Sequence, residues 1–159
     1  MLPLRKRSTK MEIERKFLIK NLPDLSAYDY VDIEQGYLST SPVVRIRKKN
    51  DKYILTYKGS GLMAREEIEA ALTKEAYEHL AEKIDGHLIT KRRYLIPLNP
   101  YTIELDIFSG HMEGLVMAEV EFPTEDAAKS FVPPEWFGDD VTEDRRYHNS
   151  NMIFENPFK

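Results

Sequence analysis

One arrangement recurs along the chain: two residues of like charge separated by a single other residue. It occurs as Glu12-x-Glu14 (with Lys16 next in the series), Arg45-x-Arg47, Glu67-x-Glu69, Lys91-x-Arg93, Glu104-x-Asp106 and Glu119-x-Glu121. Side chains two apart in an extended strand share a face, so each pair projects to one side. Same-face neighbours of one sign repel, and a strand that merely meets water has little use for them. Arginine's rigid fork suits phosphate oxygens. Carboxylates suit hard cations such as Mg²⁺ or Mn²⁺, which keep some waters and bridge to phosphates. If these faces line one wet cavity, Lys and Arg would hold a small polyanion and Glu and Asp would hold cations. Left dry and unpaired, such charges would cost several kcal/mol each. The chemistry indicated is metal-assisted phosphoryl transfer, with water or another oxygen as nucleophile.

The elements that would carry these residues follow from the same alternation. Opposite Glu12, Glu14 and Lys16 stand Ile13 and Phe17; opposite Glu104 and Asp106 stand Ile103, Leu105 and Ile107. Strands are expected at 12–19, 31–39, 43–48, 52–58, 64–72, 87–97, 101–108 and 115–122. Asn50-Asp51 and Gly59-Ser60-Gly61 mark turns, and Gly36 marks a bulge or close approach. Thr73 caps a helix that Gly86 should end, and Thr124 caps a second that Pro133-Pro134 stops. The tail from 135 onward reads as short helical turns, with Thr142 a cap. Eight strands in hairpin order predict a mainly β (α+β) fold, an eight-stranded antiparallel barrel closed to remove its edges.

At 159 residues the chain suits one domain, taken here as 11–159, with the basic stretch 1–10 set aside as a tail. A net charge of -4 argues against a broad nucleic-acid or anionic-membrane surface. No apolar run approaches the roughly 20 residues of a membrane span, and the basic start lacks the apolar core of a secretory signal. The expected setting is the cytoplasm. With no cysteine, thiolate metal sites are excluded. The four histidines lack ligand-like spacing, and no phosphate-binding glycine loop is present. Trp136 could stack on an organic ring, but beside Phe137 and two prolines it reads better as packing.

The ordered series of charged strands resembles the CYTH superfamily, the triphosphate tunnel metalloenzymes, closest to small bacterial members that hydrolyse inorganic tripolyphosphate. Further points of likeness are Gln35-Gly36-Tyr37-Leu38, Glu104-Leu105-Asp106-Ile107-Phe108-x-Gly110-His111, Ala118-Glu119-Val120-Glu121-Phe122, Trp136-Phe137-Gly138 and Val141-Thr142-Glu143-Asp144-x-Arg146-Tyr147. The resemblance implies a closed tunnel that binds a linear triphosphate along its axis. Lys16, Arg45, Arg47, Lys58, Lys91, Arg93 and Arg146 would bind phosphate. Glu12, Glu14, Glu119 and Glu121 would hold metal, with Glu67, Glu69, Glu104 and Asp106 as additional acidic positions. Lys91, Glu119, Glu121 and Glu12 would carry catalysis, with two Mg²⁺ or Mn²⁺ ions during turnover. The helical turns of the tail could plug one mouth.

The expected activity is hydrolysis of tripolyphosphate, and of nucleoside triphosphates more weakly. Class IV adenylate cyclase, thiamine triphosphatase and RNA 5′-triphosphatase share the triphosphate cradle and remain open as alternatives. A non-catalytic polyphosphate-binding module or a plain structural barrel are the non-enzymatic ones.

Overall fold

The computed structural model of the chain describes residues 8–61, 63–154 and 156. Strand β1 (Ser8–Ile19) is followed by a meander of β2 (Asp29–Thr40), β3 (Val43–Lys49), β4 (Lys52–Lys58) and β5 (Ala64–Leu72). The β3–β4 turn uses Asn50 at φ 51°, a left-handed position that Asn tolerates better than most residues. Helix α1 (Lys74–Ala81) leads to a second meander of β6 (Asp85–Leu98), β7 (Tyr101–Ser109) and β8 (Val116–Glu121). Helix α2 (Glu125–Ser130), a short strand β9 (Phe137–Asp140) and 3₁₀ turns at Arg145–Tyr147 and Asn149–Asn151 follow. Both helices start where expected: the Thr73 and Thr124 hydroxyls accept from the amides of Ala76 and Ala127.

Two seams join the meanders. β2 pairs with β6, while β1 lies between β5 and β8, meeting β5 through Ser8–Ile13 and β8 through Glu14–Leu18. The order β1-β5-β4-β3-β2-β6-β7-β8 thus returns to β1 with every pairing antiparallel, giving the closed eight-stranded barrel. β9 attaches to β1 at Phe17 and Ile19.

Four details differ from the sequence reading. β1 begins at Ser8, inside the stretch set aside as a tail, because Ser8, Thr9 and Lys10 find ladder partners in Glu69, Ile68 and Glu67. α1 ends at Ala81 with Glu82 as its C-cap. Gly86 stands inside β6 at φ 61°, where a Cβ would collide with the Ile153 carbonyl. Phe137–Asp140 is a strand, and Thr142 caps no helix: its hydroxyl accepts from the Lys16 amide at 3.0 Å and donates to Asp140 at 2.5 Å. Gly36 does mark a close approach, since a Cβ there would lie 2.6 Å from Ile84 Cγ2.

The principal core lies outside the barrel. Ile13, Phe17, Leu105, Ala118 and Val120 pack beneath Phe122, Phe131, Phe137 and Ala128 of α2. Arg15, on the same outer side, donates to the terminal α2 carbonyls of Ala128 and Phe131 at 2.9 and 3.1 Å and pairs with Asp140 at 2.8 Å. Trp136 packs edge-on against Phe137 at 4.7 Å, as its neighbours suggested. A second cluster joins Tyr37, Val43, Ile89, Phe108 and Met117 to Met112, Met152 and Ile153. These strand residues share the inward parity of the charged series but occupy one end of the barrel. Burying each such side chain contributes about 1.5–3 kcal/mol, so the shell and the end cap supply the apolar burial that frees the interior for charge. No helix among the described residues is long and apolar enough to cross a membrane.

Candidate active site

Inward-facing residues from every barrel strand line a cavity of about 180 Å³. β1 supplies Glu12, Glu14 and Lys16; β3 supplies Arg45 and Arg47; β4 supplies Lys58; β5 supplies Glu67 and Glu69. β6 adds Lys91 and Arg93, β7 adds Glu104, and β8 adds Glu119 and Glu121. Antiparallel register sets Lys16 opposite Glu119, Glu14 opposite Glu121, and Lys58 opposite Glu67. Of the residues singled out from the sequence, two lie elsewhere. Asp106 stands behind the cavity wall, fully buried, 2.8 Å from Lys91 Nζ and 2.7 Å from Arg93 Nε. Arg146 does not face the tunnel: the Asp144-capped turn directs it to solvent, where it folds back on Asp144 at 2.7 Å.

Charge inside the cavity is segregated. On the β3 side, Arg45 and Arg47 have no carboxylate within 4.0 Å among the described residues. Arg45 bonds Thr56 at 3.3 Å, yet its Nε is a buried donor with no partner. Arg47 donates to Gln35 Oε1 at 2.8 Å. Burial, with Arg45 and Arg93 nearby, pushes the Arg47 guanidinium down to about 9. This side therefore carries more cationic charge than the protein compensates.

The β1–β8 side carries the opposite excess. Burial, Glu119 and Glu12 push the Glu14 carboxyl up to about 8. Glu12 behaves differently. Burial opposes its ionisation, but a hydrogen bond with Glu67 and the Lys58 ammonium at 2.8 Å hold it well below the usual range. Glu67 is correspondingly pushed up to about 7, by burial and by Glu12. Lys16 lies 3.5 Å from Glu119 and 4.0 Å from Glu14. Against burial, Lys16 and Arg93 hold Glu119 well below its ordinary value.

Among the described residues no trio of carboxylates or histidines already converges as a ligand set. Glu12 and Glu119 are instead engaged by the protein's own cations. The fit to a divalent ion rests on Glu14, which is buried and repelled by its carboxylate neighbours. Oxygen-only donors in such surplus are the chemistry that Mg²⁺ or Mn²⁺ takes.

The cavity also contains residues given no role from sequence. Lys49 and Arg65 share the parity of Arg45-x-Arg47 and Glu67-x-Glu69, so extending each series by one step would have found them. Tyr37 and Val43 were equally available by alternation. His148, Asn149 and Ser150 come from the C-terminal turns, and no periodic signal announces them. His148 is buried with Nε2 3.1 Å from the Thr142 carbonyl. Asn149 Oδ1 accepts from Lys91 Nζ at 3.1 Å. With Met152 and Ile153 packed on Ile89, Phe108 and Met117, this segment lies across the end of the barrel remote from Glu104 and Glu121.

A family profile described as the CYTH domain matches residues 10–151. The chain belongs to the CYTH domain family. An inorganic triphosphatase of Nitrosomonas europaea is 41% identical over 150 residues, covering 92% of this chain and 99% of that protein. Another, from Acetivibrio thermocellus, is 41% identical over 155 residues, covering 93% and 96%. The crystal structure of an inorganic triphosphatase superposes with a TM-score of 0.68 at 38% identity, covering 91% of this chain and 95% of that one. These CYTH relatives match over more than nine-tenths of this chain, and the family profile itself runs from β1 through α2 and β9 to residue 151.

Proposed function

We propose that this CYTH protein hydrolyses inorganic tripolyphosphate, water attacking a terminal phosphorus. The new P–O bond forms as the bridging P–O bond breaks, pyrophosphate leaves with the electron pair, and the proton from water passes to solvent. Arg45, Arg47, Lys91 and Arg93 bind and orient phosphate oxygens, with Lys16 and Lys58 reaching from the carboxylate side. As the bridging bond breaks, these cations stabilise the charge gathering on pyrophosphate. Glu12, Glu14, Glu119 and Glu121 would hold Mg²⁺ or Mn²⁺, two ions in the fullest arrangement, supplying charge neutralisation at phosphate and acidification of water. The protein's own part is to fix the chain of phosphates in line and limit bulk water to one mouth.

The observation that carries this reading is the segregation of charge: unmatched arginines on one wall and a repelled carboxyl on the other. A polyanion and a divalent cation together compensate both, which neither does alone. The test offers tripolyphosphate, ATP, thiamine triphosphate and pyrophosphate separately with Mg²⁺ or Mn²⁺ and identifies the products. Orthophosphate and pyrophosphate from tripolyphosphate, with slower release of orthophosphate from ATP, are expected. Cyclic AMP from ATP would make it a cyclase, and tight binding without turnover would make it a binding module.

A further inference from the structure

Two buried amides lie between the arginine wall and the C-terminal turn. Arg47 Nε donates to Gln35 Oε1 at 2.8 Å. A guanidinium has donors only, so it dictates which end of the Gln35 amide it meets. Gln35 Nε2 then faces the other way, donating to Tyr37 Oη at 2.9 Å and to Asn149 Oδ1 at 3.2 Å. In its charged form, the one that would bind phosphate, Lys91 Nζ also has donors only, and it reaches the same Asn149 oxygen at 3.1 Å. Obligate donors at the two ends therefore fix both amide orientations.

We propose that Gln35 and Asn149 are positioning residues, a hydrogen-bonded bridge into which Arg47 and Lys91 donate from opposite ends and which holds Lys91 for phosphate. The proposal rests on the reading of the cavity as the triphosphate site. Lys91 Nζ is held between two oxygens, Asp106 Oδ2 at 2.8 Å on the wall and Asn149 Oδ1 on the C-terminal turn. That turn is itself anchored: the His87 amide donates to the Ile153 carbonyl at 2.6 Å, and His111 Nε2 to the Met152 carbonyl at 2.6 Å. The C-terminal segment is thus more than a stopper, because its docking delivers the oxygen that completes the Lys91 setting.

The orientation of the bridge can be reversed by one atom. Gln35→Glu keeps the acceptor for Arg47 but places an oxygen where Asn149 needs a donor. Asn149 then turns its amide and presents Nδ2–H to the Lys91 ammonium. Asn149→Leu removes the shared acceptor outright. The experiment measures tripolyphosphate binding by calorimetry in chelator, and kcat/KM with Mg²⁺, for both variants alone and combined with Lys91→Ala. Melting curves check that each is folded, and the near-isosteric Gln35→Glu answers the question if Asn149→Leu does not fold. Each single variant should weaken binding and kcat/KM by roughly tenfold, and neither should add to the loss in the Lys91→Ala background. Wild-type behaviour of Gln35→Glu, or losses that simply add to that of Lys91→Ala, overturns the bridge while leaving the site intact. Wild-type behaviour of Lys91→Ala overturns the phosphate-site reading and the bridge with it.

Discussion

Burial pushes the Lys91 ammonium down to about 7, with Arg93 adding to the effect and Asp106 opposing it. The folded value lies below the ordinary lysine value of about 10.4. Between the two, the unfolded chain holds a proton that the folded chain lacks. The group's penalty on stability is therefore full below about pH 7 and gone above the higher value. A bound polyphosphate reverses the preference, so tripolyphosphate binding at pH 8.5 should draw a proton onto Lys91. Calorimetry in buffers of different ionisation enthalpy reads this uptake, which Lys91→Ala should lose along with roughly 100-fold in turnover. Glu14 carries the opposite sign. Its folded value of about 8 lies above the ordinary 4.5, so stability from this group is present below the lower value and lost as pH rises through the higher. Glu14→Gln should accordingly raise the melting temperature in chelator at pH 9 by several degrees while lowering turnover. Added Mg²⁺ should stabilise the wild type more than the variant; equal shifts would remove Glu14 from the metal set.

At the scale of elements, the C-terminal turns hold two features that thermal melting can test. Burial and the nearby Lys16 push the His148 imidazole down to about 4. As pH falls below the ordinary 6.5, the unfolded chain takes up a proton that the folded turn refuses, so stability is lost from there towards pH 4. His148→Gln should flatten the fall in melting temperature between pH 6.5 and 4.5, provided its amide replaces the bond to Thr142. Gly86→Ala should cost about 1–2 kcal/mol, because it strains a left-handed position and collides with the Ile153 carbonyl. Alternation made the barrel legible: β4 and β5 have the bounds expected from sequence, and the charged pairs of six strands line one cavity together except for Asp106, which is buried under Lys91 and Arg93. The C-terminal segment was not legible in the same way. β9 is four residues long, too short to show a period, and it exists because β1 offers Phe17 and Ile19 as ladder partners. Arg146 carries the right charge for phosphate, but its direction is set by an Asp144 cap rather than by strand parity. Ile89, Phe108 and Met117 have inward parity in the sequence, yet their role as the end cap depends on Met152 and Ile153 arriving from far along the chain.

For the whole molecule, the proposed function and the C-terminal segment packed over one end of the barrel together predict that phosphate chains enter and leave by the mouth near Glu104 and Glu121. Only a chain terminus can reach Lys91 and Asn149 at the covered end. Polyphosphate of several tens of units should therefore be shortened from its ends, if at all, with no internal fragments on a sizing gel. A ladder of intermediate lengths appearing from the earliest times would mean a passage open at both ends. Barrel closure has a further consequence for how the protein is made. β1 emerges from the ribosome before either of its neighbours, and its second edge stays unmatched until Glu121 has been synthesised. Until β8 is made, the nascent chain thus carries a half-apolar ribbon with an unmatched edge, a condition that invites pairing with other chains. The carboxylates Glu12 and Glu14, proposed above as metal ligands, also discourage two nascent copies from zipping together along that ribbon.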